Sequence, residues 1–251
     1  MKRTVLITGA TSGIGLATAK LLSRHPFRLI LCGRRLDRLQ ALQTKLTGLT
    51  ECRILSFDVR EPEEVQAAIQ SLPGNWKDID VLINNAGNAH GLDPIQTGKQ
   101  YDWDAMIDIN VKGLLYVSQH VLPGMTGRKS GHIINIGSIA GKEVYPNGNV
   151  YCASKFAVDA ITRGMRMDLN PYGIKVTGIH PGLVETEFSL VRFKGDEARA
   201  SQVYKGYDPL KPEDIAELIL FTLTRPPHVV LADVVVLPTA QASATLVKKD
   251  L

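Results

Sequence analysis

Cysteine is scarce in this chain, and so is any sequence signal for crossing a membrane. Among 251 residues there are three cysteines, Cys32, Cys52 and Cys152. They form no Cys-x-x-Cys pair and, being three, cannot all pair with one another, so they read as buried thiols of a reducing compartment. No apolar run approaches the ~20 residues a membrane span needs. Met1-Lys2-Arg3 leads into the apolar Thr4–Ile7, too short a run for a signal-peptide core. The expectation is a cytoplasmic protein with no membrane partner. Lys and Arg exceed Asp and Glu by only four (29 against 25) and lie scattered, without the dense basic stripe that nucleic-acid binding asks for. No His, Cys or Asp cluster has metal-ligand spacing, so no metal is expected. Low-complexity linkers and internal repeats are missing too, which favours a single domain over 1–251. The hydrophobic fraction of 44% against 22% charged is ordinary for a globular chain and leaves enough for a sizeable core.

What is present is an alternation. Short β-branched or Leu-rich runs occur at Thr4–Thr8, Leu29–Cys32, Cys52–Phe57, Val81–Asn84, His132–Ile136, Lys175–Ile179 and Val234–Leu237. Segments with helical spacing separate them: Gly13–Ser23, Leu36–Lys45, Pro62–Ser71, Trp103–Leu122, Val150–Leu169 and Pro212–Leu223. Strands apolar on both faces, alternating with helices, predict an α/β protein with a doubly wound, Rossmann-type parallel sheet of seven strands covered by helices on both faces. Ligands of such sheets lie outside the carboxyl ends of the strands.

The first strand ends in Thr8-Gly9-x-x-x-Gly13-x-Gly15. Glycines at a strand–turn–helix junction let the backbone turn tightly and approach a pyrophosphate, which then rests on the helix N-terminus. Gly9, Ser12, Gly13, Ile14 and Gly15 are therefore the expected phosphate-side contacts. The second strand ends Cys32-Gly33-Arg34-Arg35 with no acid at its tip. An acid there would bond the 2′-hydroxyl of NAD, whereas Arg34 and Arg35 suit the 2′-phosphate of NADP. Asp58 and Val59 close the third strand, where a carboxylate can accept from an adenine amino group. Asn84-Asn85-Ala86-Gly87 closes the fourth. Its small residues Ala86 and Gly87 leave room for a ribose, and its asparagines, Asn85 among the cofactor contacts, can tie neighbouring strands by hydrogen bonds.

Tyr151-x-x-x-Lys155 carries the chemistry. Residues four apart share one face of a helix, and a cation within ~4–6 Å can lower a phenol's pKa by ~1–3 units. Tyr151 would then exchange a proton near neutral pH, as a general acid/base must. A second such spacing, Tyr207 to Lys211, has Pro209 between its ends, which a helix interior disfavours; it is set aside. A tuned tyrosine in a chain that opens with a nucleotide-binding turn suggests hydride transfer coupled to proton transfer.

Taken in order, Thr8–Gly15, Asn84–Gly87, Asn110, Ser138, Tyr151 with Lys155, and Pro181-Gly182 make the chain resemble the short-chain dehydrogenases/reductases from Thr4 to about Thr239. The resemblance implies that Tyr151 is the proton donor/acceptor and that Lys155 lowers its pKa and holds the nicotinamide ribose. It implies that Ser138 orients the substrate carbonyl, and that Asn110 kinks its helix and holds a water of the proton relay. Pro181, Gly182, Val184 and Thr186 match the segment over the nicotinamide.

A narrower resemblance, carried by Asn149-Val150-Tyr151, Pro181–Val184 and the stretch from Glu187 to Asp196, is to the NADP-dependent 3-hydroxy acid dehydrogenases. It implies small substrates such as serine, allo-threonine or malonic semialdehyde, and a homotetramer. Glu185–Tyr207, rich in Arg, Lys and Gly, is expected to close over the substrate as a lid. Arg192, with Lys194 behind it, is the candidate partner for a substrate carboxylate; a solvated lid face is the competing reading. His90 and His180 flank the pocket segments and receive no role. Rival readings are a broad carbonyl reductase, a 3-oxoacyl-carrier-protein reductase, or a non-catalytic NADP-sensing protein. The chain lacks the Thr-Gly-Gln turn and closing Asp/Asn-Gly-Gly of the carrier-protein reductases. It also departs from the hydroxy-acid branch at Asn88-Ala89-His90 and Lys142-Glu143-Val144.

Overall fold

A computed structural model of the protein describes residues 2–250. Alternating side chains set its layers. In β1 (Arg3–Thr8), Val5 and Ile7 point to one face and Leu6 to the other, and all three are fully buried. β2 (Phe27–Gly33), β3 (Cys52–Ser56), β4 (Val81–Asn84), β5 (Gly131–Ile136), β6 (Ile174–Pro181) and β7 (Asp233–Val236) join it in one sheet, in the order β3-β2-β1-β4-β5-β6-β7. Every pairing is parallel. The order reverses at β1, so the crevice at its C-terminal end, next to β4, is the place for a ligand.

The helices are α1 (Gly13–Leu22), α2 (Leu36–Leu46), α3 (Pro62–Gln70), α4 (Gln100–Ile107), α5 (Gly113–Arg128), α6 (Asn149–Leu169), α7 (Phe188–Arg192), α8 (Glu197–Gln202) and α9 (Pro212–Leu223). Leu22, Leu39 and Ile219, from α1, α2 and α9, cover Ile7, Leu31 and Ile83 on one face. Val65, Val117 and Leu169, from α3, α5 and α6, cover Leu6, Leu82 and Ile133 on the other. Each such Leu, Ile or Val contributes about 1.5–3 kcal/mol by leaving water.

Two local departures from the sequence reading have physical causes. The helix expected over Trp103–Leu122 is α4 and α5 joined by a π turn at Asp108–Lys112. α5 also runs through Pro123 to Arg128. Proline removes one backbone donor and frees the carbonyl four residues back, but Pro123 and Gln119 both lie on the exposed face, where water can serve that carbonyl. Glu185–Tyr207, for which the sequence reading assigned no secondary structure, carries α7 and α8.

Candidate active site

A cavity of about 540 Å³ opens at the carboxyl ends of the central strands. Of the residues read as catalytic, cofactor-binding or substrate-binding, all but Gly15 and Asn110 line it. Those two stand directly behind its wall. Gly15 lies against the Gly9 carbonyl, where any Cβ would collide, and Gly9 itself has φ +66°, a conformation glycine adopts without strain. Ser12 precedes α1 but does not cap it; its hydroxyl accepts from Arg35 Nη2 at 3.1 Å. The first-turn N–H groups of α1 thus have no side-chain partner, the condition for holding a phosphate at a helix N-terminus.

The cationic rim is preorganised. Arg35 Nη2 also donates to Thr11 Oγ1 at 3.0 Å, and Arg35 and Arg38 both face Glu187, just before α7, at 3.4 and 3.0 Å. Arg34 is 3.4 Å from Asp58 Oδ2. Burial alone would raise the Asp58 carboxyl, but hydrogen bonds from Arg60 and the charges of Arg34 and Arg60 hold it below its ordinary value. The asparagines do tie strands: Asn84 Nδ2 donates to Asn135 Oδ1 at 2.9 Å and Ser118 Oγ at 3.0 Å, and Asn85 Nδ2 donates to the Thr8 carbonyl at 2.9 Å.

Asn110 sits in the π turn and is buried. Its amide donates to the Asn88 carbonyl at 2.8 Å and to Ser154 Oγ at 3.0 Å, while Oδ1 accepts from Asn88 N at 2.9 Å. A Cβ built on Gly87 would stand 3.0 Å from Asn110 Oδ1 and 3.5 Å from Lys155 Nζ. Glycine at 87 therefore keeps open a gap bordered by both groups.

Tyr151 and Lys155 are both buried on α6, yet the lowering of the phenol pKa expected from their spacing does not appear. Lys155 Nζ donates to the Ile136 carbonyl at 3.0 Å, and burial brings its pKa down to about 8. Burial pushes the Tyr151 phenol up, with Tyr145 adding to the rise and Ser138 and Arg192 opposing it. Desolvation exceeds the charge effect because the ammonium is turned toward β5 and is itself discouraged from ionising. Tyr207 and Lys211 do not meet: Tyr207 donates to the Val203 carbonyl and Lys211 pairs with Glu185.

Arg192 enters the cavity from α7. Its Nε donates to the Gly91 carbonyl at 3.0 Å, and its guanidinium carbon stands 5.6 Å from the Tyr151 ring centroid. Its Nη2 is buried with no hydrogen-bond partner. Lys194, read as standing behind it, is instead held by Asp102 at 2.9 Å and Tyr101 at 2.6 Å and does not line the cavity. Tyr145 and Phe188 line the cavity and pack with Tyr151; neither was singled out for a role in the sequence. Gln241, beyond β7, reaches in as well, accepting from Leu183 N at 2.9 Å. Cys152 is buried beside Tyr151 but does not line the cavity.

One group that sequence spacing could not reveal is Asp159, His180 and Asp233, whose ligand-type atoms lie within 4.8 Å of one another. The Lys142 ammonium already bridges the two carboxylates at 2.8 and 2.6 Å, and burial and Lys142 hold His180 below its usual pKa. A lysine thus occupies the place a cation would take.

The glycine cradle, the uncapped α1, the arginine rim and the buried Ser138, Tyr151 and Lys155 together fit a dinucleotide. The short chain dehydrogenase family model matches residues 3–196. The chain belongs to that family. It is 45% identical to an NADP-dependent 3-hydroxy acid dehydrogenase of Salmonella typhi over 243 residues, covering 96% of this chain and 97% of the relative. It is 43% identical to sulfoacetaldehyde reductase 2 of Chromohalobacter salexigens over 252 residues, the full length of both. The closed form of a serine dehydrogenase complexed with NADP+ superposes with a TM-score of 0.92 at 42% identity, over 99% of this chain and 100% of that one.

Proposed function

We propose that this protein is an NADP-dependent oxidoreductase that interconverts a small 3-hydroxy acid, of the serine, allo-threonine or 3-hydroxypropionate kind, with its 3-oxo form. The observation that carries this reading is the cation beside the proton donor: Arg192 stands over the Tyr151 ring at 5.6 Å within one cavity. A substrate whose carbonyl meets Tyr151 and Ser138 would bring a nearby carboxylate to Arg192, which suits it in charge and fork geometry.

Bound along the glycine turn, with its 2′-phosphate toward Arg34 and Arg35, NADPH supplies the hydride. The remaining work belongs to the chain. Ser138 donates to the substrate carbonyl and fixes its orientation. Tyr151 Oη gives its proton to that oxygen as alkoxide character develops; burial keeps the phenol in the protonated state that this direction requires. Lys155 and Asn110, which border the gap at Gly87, return a proton to Tyr151 through solvent. Glu185–Tyr207 closes as the lid and excludes water. Exposed Leu115 on α5 and Phe156 on α6 support the homotetramer in this reading, which light scattering tests, and the chain works in the cytoplasm.

Identity to the sulfoacetaldehyde reductase along both full lengths favours a second reading, in which a sulfonate takes the carboxylate's place on Arg192. NADPH consumption with malonic semialdehyde, sulfoacetaldehyde and an uncharged aldehyde separates the cases. An enzyme that prefers the uncharged aldehyde would be a broad carbonyl reductase, and the acid reading would fall. A Michaelis constant for serine unchanged in Arg192→Ala would remove Arg192 from the site.

A further inference from the structure

Tyr145 occupies a place that the reaction does not require and that the fold takes trouble to secure. It follows the Ser138 segment in a turn whose neighbours Val144, Pro146 and Asn147 are exposed, while Tyr145 itself is drawn inward. Asn147 adopts φ +64° to make that turn, a conformation uncommon outside glycine. Gly148 N donates to the Tyr145 carbonyl at 3.1 Å, and any Cβ at 148 would overlap the Tyr145 ring. The ring is thereby folded back over its own turn and packed with Tyr151 and Phe188.

What it meets there is Arg192. The guanidinium carbon stands 5.5 Å from the Tyr145 centroid and 5.6 Å from that of Tyr151, so both rings present their faces to the cation. The Gly91 carbonyl takes Nε at 3.0 Å. Gly91 N in turn donates to the Arg192 carbonyl at 3.0 Å, fixing the backbone that carries the guanidinium. Two ring faces and one carbonyl thus hold this side chain, and Nη2 is buried without a hydrogen-bond partner. An arginine carries five donors in a rigid fork, so fixing Nε and the face of the fork presents its outer edge at a fixed distance from Tyr151.

We infer that Tyr145 is a specificity-determining residue: it positions Arg192 so that the enzyme favours substrates bearing an anionic group close to the reacting carbonyl. This inference rests on the acid reading of the preceding section and concerns how that preference is built. Tyr145 acts through Arg192, so its signature is in substrate binding and substrate choice, not in the chemical step.

The test compares malonic semialdehyde with propanal, its uncharged counterpart, in NADPH-consumption assays of wild type, Tyr145→Leu, Arg192→Ala and the double variant. Tyr145→Leu keeps an apolar side chain and removes the ring face from Arg192. It is expected to raise KM for malonic semialdehyde about three- to tenfold, the range of one lost cation–π contact. Its kcat and its turnover of propanal should stay within about twofold, and NADPH affinity should stay unchanged. In the Arg192→Ala background, Tyr145→Leu should add nothing, because the two act as a unit. An unchanged KM in Tyr145→Leu, equal losses on both aldehydes, or additive effects in the double variant would each overturn the inference. A wild-type enzyme that does not prefer malonic semialdehyde over propanal would instead sink the acid reading itself, before the variants are compared.

Discussion

The Lys155 ammonium donates to the Ile136 carbonyl at 3.0 Å, one residue before the sharp exit from β5 that leads to Ser138. Strand and helix are thus joined through the amine one turn along α6 from Tyr151. Burial lowers the Lys155 pKa from 10.5 to about 8, so the folded chain gives up a proton that the unfolded chain still binds between those values. Stability therefore rises with pH across that window, and the cost of the buried charge is fully present below it. Lys155→Met is expected to be more stable than wild type at pH 7, by up to about 3 kcal/mol less about 1 for the lost hydrogen bond. That margin should shrink toward pH 10.5. Urea denaturation at several pH values checks it; a variant less stable at neutral pH would show the charge is not penalised.

Tyr151→Phe removes one hydroxyl from the cavity and leaves the ring packed against Phe188, whose centroid is 5.6 Å away. NADPH affinity, read by nucleotide fluorescence, should be nearly unchanged. Turnover should fall by about 10²- to 10⁴-fold, the usual contribution of a general acid/base. Wild-type turnover would refute the proton-transfer role.

The two directions of the reaction should respond oppositely to pH. Burial raises the Tyr151 pKa, so the protonated phenol needed for carbonyl reduction persists through neutrality, and the phenolate needed for alcohol oxidation is rare there. Oxidation, followed as kcat/KM for a hydroxy acid, should climb with pH from 7 to 9 while reduction stays level or declines. An oxidation profile that falls across this range contradicts the assignment.

Glu187 holds Arg35 and Arg38 from the lid side, where it competes for the cations proposed to meet the 2′-phosphate. Glu187→Gln is expected to tighten NADPH binding by about two- to fivefold, within the small range of exposed ion pairs, and more at low ionic strength. NADH, which lacks that phosphate, should bind as before. Calorimetry with both nucleotides decides it: weaker NADPH binding would mean that Glu187 orders the rim and does not compete with the phosphate.

The covered parallel sheet was legible in the sequence for one reason. Residues such as Val5, Leu6 and Ile7 are buried on both faces, and only a covered parallel sheet gives them that environment. Asn85 and Gly87 were legible because they close a strand, whereas Ser138 and Pro181 entered only through the family resemblance. Orientation was not legible. The turn of Lys155 toward Ile136 depends on a backbone carbonyl from another element, and α6's helical spacing carries no trace of it. Arg192 and Lys194 share one lid segment, yet Gly91 draws the first into the cavity and Asp102 holds the second outside. The continuation of α5 past Pro123 was hidden because the penalty for proline depends on which face it occupies.

The five-residue turn at Asp108–Lys112 makes register, and not residue type alone, a requirement of the active site. A regular α-helix advances ~100° per residue, so deleting Val111 and restoring ordinary winding would rotate α5 about its axis relative to α4. Gly113 would then leave its seat against Val59, where a Cβ would come within 2.7 Å of Cγ2, and a neighbouring side chain would be driven into that contact. Conservative replacements in this stretch are survivable on this view, whereas gain or loss of one residue there breaks the enzyme's frame from a distance.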